Sequence, residues 1–216
     1  DRDQALRERI LEQALARVIA GGFAALTMQA LADDVGIATG SLYRHFSNKG
    51  ELAAEVFARA SQREVHALAT TLRAPGAAPQ RLAAGIQQFA ARAWYSRRLA
   101  YAPIAEPVEP QVDEQRLLYR QAYAELFGDL LQEGMAAGLF AQQPLALIAA
   151  CLVGAIAEAL VGPLAPAGQS PQPDPQQLAA VSLTLSHVCL RAVGADHMLD
   201  LPGDPQRQVE IGFQQH

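Results

Sequence analysis

Apolar residues recur every three or four positions through most of this chain, which is the spacing that places them on one face of an α-helix. The first such stripe predicts a helix from about residue 2 to residue 20 and consists of Leu6, Ile10, Ala14 and Val18. The chain also contains 43 alanine residues and only 6% aromatic residues. Alanine favours helices, whereas strands favour β-branched and aromatic side chains. The sequence therefore predicts an all-α fold.

Composition excludes several classes of protein. Of the 216 residues, 50% are hydrophobic and 18% are charged, which is too apolar for a disordered chain and enough to bury a core. The apolar run over residues 145–164 approaches membrane length, but Glu158 interrupts it, so a buried helix is favoured over a membrane span, with Glu158 snorkelling or hydrogen-bonded. No signal for secretion begins the sequence, and we expect a cytoplasmic protein. Cys151 and Cys189 both lie in apolar runs and are predicted to be small buried side chains.

Two short helices are predicted between residues 27 and 46. Thr27 is a suitable N-cap for the first, which ends at Gly36. The second spans about residues 38–46 and turns Leu42 and Phe46 inward, four positions apart. Two short helices joined by a glycine-containing turn form a helix-turn-helix pattern, in which the second helix enters a DNA major groove.

The outward surface of the second helix is unusual for an acidic protein. Its first residues are small, and Tyr43, Arg44 and His45 follow, with Lys49, the only lysine of the chain, close behind. Small side chains permit close approach to base edges, and tyrosine, arginine, histidine and lysine commonly contact phosphates. No acidic residue lies between residues 35 and 50, although the chain carries a net charge of −5. The same pattern also occurs in helical domains that bind no DNA, so the pattern alone does not decide between a DNA-binding domain and a plain helical domain.

Longer stretches of sequence favour DNA binding. They are Leu26-Thr27, Leu31-Ala32, Val35-Gly36-Ile37, Gly40-Ser41-Leu42-Tyr43-Arg44-His45-Phe46 and Asn48-Lys49-Gly50-Glu51-Leu52. Through these stretches, residues 6–60 resemble the TetR/AcrR family of bacterial transcriptional regulators. The resemblance implies a three-helix DNA-binding head over residues 1–50, a connecting fourth helix over 48–73, and a helical ligand-binding and dimerisation domain over 51–216.

The resemblance also implies a role for individual residues of the head. Thr27 would cap its helix and touch a phosphate. The positions that would face bases are Thr39, Gly40, Ser41 and Arg44, and those that would hold phosphates are Tyr43, His45 and Lys49. The N-terminal arm begins Asp1-Arg2-Asp3 and is less basic than the arms of many relatives, so its contribution to DNA binding is left open.

A helical body follows the break at residues 74–79. Helices are predicted at about 79–96, 112–138, 144–162 and 175–194, with an irregular stretch around Pro103, Pro107 and Pro110 and a loop over 169–175. Aromatic residues that could line a small-molecule cavity, or simply fill the core, are Phe89, Trp94, Tyr95, Tyr101, Tyr119, Tyr123 and Phe127. Four arginines could meet an anionic ligand or pair with nearby acids, namely Arg97, Arg98, Arg116 and Arg120.

The last two predicted helices are apolar on nearly all sides, and such helices must be covered on all sides. A partner chain would cover them in a four-helix dimer interface, with burial inside one chain as the alternative. The residues predicted for that interface are Leu152, Ile156, Leu160, Leu183 and Val188.

No motif for catalysis, a cofactor or a metal is found, so an enzyme is not expected. The sequence predicts a homodimeric repressor that is released from a palindromic double-stranded DNA operator by an unidentified small-molecule effector, without a membrane partner. The alternative is a helical small-molecule-binding or interaction module with a vestigial DNA-binding head.

Overall fold

The computed structural model describes residues 2–165 and 174–195, and within these ranges it contains helices and no strand. The helices are α1 (Arg2–Gly21), α2 (Met28–Val35), α3 (Thr39–Leu42), α4 (Lys49–Leu72), α5 (Ala78–Tyr95), α6 (Arg97–Ala105), α7 (Pro110–Ala136), α8 (Leu145–Leu164) and α9 (Pro175–Ala192). The all-α prediction is confirmed. Most of the loop predicted over 169–175 and the chain after residue 195 lie outside the described residues.

The first three helices form a small head around the buried stripe of α1. Ile10, Ala14 and Val18 are fully buried there. Helix α1 stops before Gly22, whose φ of 73° belongs to the left-handed region that glycine adopts without strain. Thr27 caps α2 as expected, because its side chain accepts a hydrogen bond from the Ala30 N–H at 3.2 Å.

Helix α3 is shorter than the predicted span of 38–46. Its regular part ends at Leu42, and the N–H groups of His45 and Phe46 both donate to the Leu42 carbonyl, at 3.0 and 3.1 Å. These bonds curl the chain into turns while keeping Leu42 and Phe46 fully buried, as their spacing predicted.

Helix α4 joins the head to the body. Asn48 accepts a hydrogen bond from the Glu51 N–H at 2.9 Å, and the Glu51 carboxylate accepts one from the Ser47 N–H at 2.7 Å, which together form a reciprocal cap. The 24 residues of α4 span roughly 36 Å. Leu52 of its first half belongs to the head cluster of buried residues, and Leu68 of its second half belongs to the body cluster.

The irregular stretch predicted around the prolines is confirmed only for residues 106–109, which include Pro107, because α6 occupies residues 97–105 and α7 begins at Pro110. Proline is tolerated in the first turn of a helix, where its missing N–H would have no helical partner. Helix α6 is stabilised by tertiary contacts. Ala102 is fully buried in the head cluster, and Arg116 Nη2 donates to the Ala102 and Glu106 carbonyls at 3.1 and 2.7 Å.

The body packs α5, α7, α8 and α9 around a second buried cluster. Cys189 lies in this cluster as predicted, and burial raises the pKa of its thiol to about 11. Cys151 is exposed, which contradicts its predicted burial. Glu158 is exposed as well, and its role as a snorkelling or hydrogen-bonded interface residue stays a prediction. Both belong to the face of α8 that is turned away from the cluster.

Helix α8 is, among the described residues, the one helix long and apolar enough to cross a membrane by length and composition. Core helices that are buried inside a protein can have the same length and apolar composition. One face of α8 is buried in the body cluster by Ile148, Leu152 and Leu160.

Candidate functional site

The predicted base-reading residues form an open surface on α3 and the turn after it. Gly40 and Arg44 are exposed, Tyr43 is 50% exposed, and Thr39 and Ser41 are half-buried. A Cβ built on Gly40 would have no heavy atom within 4 Å. A second macromolecule can therefore approach this backbone closely.

Hydrogen bonds within the head orient two of these side chains. The Thr39 hydroxyl donates to Gln29 Oε1 at 2.8 Å, and Arg44 Nη2 donates to Ser41 Oγ at 2.9 Å. Gln29, an exposed residue of α2, was not among the predicted site residues. Its position two residues after the cap Thr27 was the available signal, because it places a polar side chain beside the start of α3.

Two of the predicted phosphate ligands contact acidic residues of the same chain. Lys49 Nζ lies 2.8 Å from Glu109 Oε1, and His45 Nε2 lies 3.7 Å from Asp3 Oδ1, a contact that becomes an ion pair when His45 is protonated. Burial raises the pKa of Glu109, but the hydrogen bond from Lys49, a backbone hydrogen bond at Glu109 and the charge of Lys49 together outweigh it, so the pKa is lowered overall. Neither Glu109 nor Asp3 was predicted to face these residues.

The segment around Glu106 joins the body to the head. The Glu106 carboxylate accepts a hydrogen bond from the Phe23 N–H at 2.9 Å, and Arg98 donates to the Ala20 carbonyl. A side chain at Gly22 would collide with the Glu106 carboxylate, and one at Gly50 would collide with Gln111. The end of α6 and the start of α7 therefore lie tightly against the head.

A cavity of about 140 Å³ lies between α4, α5, α6, α7 and α8. Four of the predicted aromatic residues line it, namely Phe89, Tyr119, Tyr123 and Phe127. Phe89 meets Tyr123 edge-to-face with ring centroids 5.7 Å apart, and Tyr119 meets Phe57 in the same way at 5.9 Å. The other lining residues are Phe57, Ala60, Ser61, Glu64, Leu68, Arg92, Ala93, Ser96, Leu99, Ala100, Ile104, Arg116, Arg120, Val153, Ile156 and Ala157.

The other three predicted aromatic residues do not line this cavity. Trp94 is fully buried beneath the Arg97 guanidinium, whose carbon lies 4.4 Å from the ring centroid, while Tyr95 is 66% exposed. Tyr101 is half-buried against the body cluster. The helical phase of α5 explains the first two, because its cavity face follows residues 89, 92, 93 and 96 and turns 94 and 95 away.

Contacts of the cavity arginines differ. Glu64 accepts hydrogen bonds from Arg92 at 2.6 and 2.8 Å, and this pairing raises the pKa of Arg92. Arg116 pairs with Asp113 at 2.8 Å, and its Nε is buried without a hydrogen-bond partner. Arg120 lines the cavity with its side chain exposed and has no hydrogen bond or ion pair within residues 2–165 and 174–195. Burial raises the pKa of Tyr123 far above its ordinary value, so its phenol stays neutral.

Of the residues predicted for the dimer interface, some are buried inside the chain and others are exposed. Leu152, Ile156 and Leu160 are buried inside their own chain, where Ile156 lines the cavity, so they are not available to a partner. Leu183 and Val188 of α9 are 44% and 47% exposed. The spacing of α8 predicted an apolar helix but did not indicate which face points inward, because both faces are apolar.

A family model described as bacterial regulatory proteins, tetR family, matches residues 10–56. This range begins at Ile10 in α1 and ends at Val56 in the first half of α4, and both residues belong to the head cluster. The head is of the TetR type. The resemblance predicted from the sequence is thereby confirmed over the segment that carries the exposed α3 surface.

Solved structures show that the similarity in fold extends to the body. The regulator FadR of fatty acid degradation from Bacillus halodurans matches with a TM-score of 0.71 and 18% identity, covering 86% of this chain and 94% of its own. FadR from Bacillus subtilis, solved with stearoyl-CoA, matches with a TM-score of 0.69 and 16% identity, covering 87% of this chain and 98% of its own. PfmR, a TetR-family regulator from Thermus thermophilus, matches with a TM-score of 0.62 and 20% identity, covering 85% of this chain and 97% of its own. Identities this low establish a shared fold, and no match was found among the curated proteins.

No candidate metal site is found in the part of the chain that the structure describes. No group of three or more histidine, cysteine, aspartate or glutamate side chains there could hold a metal ion. The features that remain are the α3 surface and the apolar cavity.

Proposed function

We propose that this protein is a ligand-responsive, DNA-binding transcriptional regulator of the TetR type, and that it acts as a cytoplasmic repressor. The observation that carries the proposal is the open surface from Thr39 to Arg44 on a helix-turn-helix of that family. Thr39 and Arg44 read base edges, and Tyr43 and Lys49 hold the flanking phosphates. The head cluster, from α1 to the first half of α4, is the DNA-reading unit, and the rest of the body binds the effector and the second subunit.

The exposed faces of α8 and α9 support a homodimer. On α8 this face carries Leu147, Cys151 and Glu158, and on α9 it carries Leu183 and Val188. Apolar surface of this kind is stabilised when a two-fold related copy covers it. Two heads related in this way read a palindromic operator whose half-sites lie about 34–36 Å apart.

Contacts of α6 suggest how the cavity communicates with the head. Leu99 and Ile104 line the cavity, Ala102 is buried in the head cluster, and Glu106 holds the Phe23 N–H. A molecule that fills the cavity displaces α6 and with it the head. It shifts the equilibrium only by its difference in affinity for the two arrangements, and release from DNA requires that it favours the one that fits the operator less well.

The apolar lining, with its few polar groups, supports a small, largely hydrophobic effector. FadR from Bacillus subtilis, which shares this fold, was solved in complex with stearoyl-CoA, an amphipathic small molecule.

Fluorescence anisotropy with purified protein tests the proposal. The DNA probes are the intergenic region upstream of the protein's own gene and a shuffled control, each at two salt concentrations. We expect tight, sequence-dependent binding that weakens with salt, because phosphate contacts release counterions. Lys49→Gln should reduce the slope of log affinity against log salt by about one unit per head.

A matched variant separates phosphate contact from general charge. Arg63→Gln removes one cation from an exposed position of α4, roughly 21 Å along the helix from Lys49, and should leave the salt slope nearly unchanged. Thr39→Ala should change sequence preference instead. Equally weak binding to both DNAs would contradict the proposal and favour a ligand-binding module with a vestigial head.

A further inference from the structure

We propose that the cavity selects a small apolar molecule that carries a single carboxylate, and that Arg120 and Arg116 bind this carboxylate at the cavity mouth. The proposal rests on the function proposed above, because it names the chemical class of the effector.

Arg116 and Arg120 are four residues apart on α7 and both line the cavity. Residues at this spacing lie on one helix face with Cβ atoms about 5–6 Å apart, and two like charges there destabilise the helix. Asp113 compensates Arg116, but no described acidic residue pairs with Arg120. An uncompensated cation beside an apolar wall is a binding position for an anion.

Arg116 offers a second unused donor. Its Nη atoms bond Asp113 and the carbonyls of Ala102 and Glu106, whereas its Nε is buried and has no partner. A carboxylate has two oxygens and can accept from Arg116 Nε and from Arg120 together. Binding would thus satisfy a buried donor that the structure leaves unpaired.

The one acidic residue in the cavity lining does not oppose this assignment. Glu64 is held by two hydrogen bonds from Arg92, so its charge is compensated and it is not free to bind a cationic ligand. The lining therefore carries an excess of positive charge at Arg120, on the α7 side, next to the unpaired Nε donor of Arg116. A neutral or cationic molecule would leave that excess unpaired.

The size of the cavity limits the apolar part of the ligand. A cavity of about 150 Å³ lined by apolar side chains holds benzene, and this cavity measures about 140 Å³. One aromatic ring or a short alkyl chain fits inside, with the carboxylate at the mouth. A free carboxylic acid and its thioester with a larger carrier share the same apolar part. They differ at the anion, because a thioester has no carboxylate.

A carboxylate at Arg116 also reaches the link to the head. The same guanidinium donates to the carbonyl of Ala102 in α6 and to that of Glu106 directly after α6, so an anion that draws on it changes the restraint on Glu106. The ligand's charge, and not only its bulk, would then be needed for release from DNA.

Isothermal titration calorimetry with matched probes tests the proposal on the full chain. The probes are octanoate with octanamide, 4-ethylbenzoate with 4-ethylbenzamide, and octanoyl-CoA. In at least one of the first two pairs, we expect the carboxylate to bind about tenfold more tightly than its amide, the scale of one charge-assisted hydrogen bond. Octanoyl-CoA, whose acyl group has no carboxylate, should bind more weakly than octanoate.

Variants assign the effect to Arg120. Arg120→Gln should remove most of the preference for the carboxylate and leave binding of the amide unchanged, while Arg63→Gln, which removes the same charge elsewhere, should change neither. The proposal would be overturned if the amides bound as tightly as the carboxylates, or if both variants lost carboxylate binding equally. It would also be overturned if octanoyl-CoA bound more tightly than octanoate, or if none of the probes bound. Anisotropy on the same samples keeps the two proposals separate, because sequence-dependent DNA binding without carboxylate selectivity would refute only this one.

Discussion

Replacing Glu109 with glutamine tests whether the contact with Lys49 restrains DNA binding. In the structure, Lys49 Nζ lies 2.8 Å from a Glu109 carboxylate oxygen, and the two side chains are 35% and 27% exposed. A lysine that holds a DNA phosphate must give up or share this partner. Glu109→Gln removes the charge that competes with the phosphate and retains the size of the side chain, so the variant should bind its operator more tightly without any effector.

The expected gain follows from the exposure of the pair. Partly exposed ion pairs contribute about 0.2–1 kcal/mol after solvent screening. A dimer carries two such pairs, so the gain in binding free energy is about 0.4–2 kcal/mol, or roughly twofold to thirtyfold in affinity. Because the contact is electrostatic, the gain should be larger at low salt.

A double-mutant cycle measured by fluorescence anisotropy separates this effect from net charge. Glu114→Gln removes the same charge from an exposed position five residues further along α7 and should produce a smaller gain. In the Lys49→Gln background, Glu109→Gln should act no more strongly than Glu114→Gln. An undiminished effect of Glu109→Gln in that background, or equal effects of the two glutamates in the wild type, would refute a direct competition for Lys49.

Three further changes give distinct outcomes. Gly40→Ala should raise the unfolding free energy by about 0.5–1 kcal/mol, since its Cβ enters open space on a helix, yet weaken DNA binding in anisotropy measurements by blocking close approach. Gly22→Ala should lower the unfolding free energy in urea by about 1–2 kcal/mol, because its φ of 73° strains an alanine; an unchanged midpoint would contradict this. Leu183→Glu should give a monomer in light scattering, whereas Leu117→Glu, at an exposed leucine of α7, should leave a dimer.

Local signals predicted the head well. The cap at Thr27, the glycine stop at Gly36 and the inward pair Leu42 and Phe46 each depend on neighbours a few residues away, and the structure contains all of them. The resemblance over residues 6–60 added the TetR type of the head, which the match at residues 10–56 confirms. The assigned DNA contacts remain predictions.

Features of the body that depend on tertiary contacts could not be predicted in this way. Helix α6 is not predicted, because Pro103 within it and two prolines after it suggest a break. The hydrogen bonds from Arg116 and the burial of Ala102 that stabilise this helix join residues distant in sequence. The cavity lining was predicted from the density of aromatic residues, and helical phase then excluded Trp94 and Tyr95. The contribution of α4 was overlooked, although Ser61 and Glu64 interrupt an otherwise apolar stripe and could have indicated a wall with polar groups.

The solitary lysine of the sequence makes its pairing with Glu109 accessible to covalent chemistry. Amine-directed acylating reagents can modify only one side chain in the printed sequence, besides the terminal amine. An ammonium group held by a carboxylate is less available to such a reagent than a free one, and a group covered by a DNA backbone is shielded as well. The acylation rate of Lys49, followed by mass spectrometry of one peptide, would therefore report the state of the head without any engineered label.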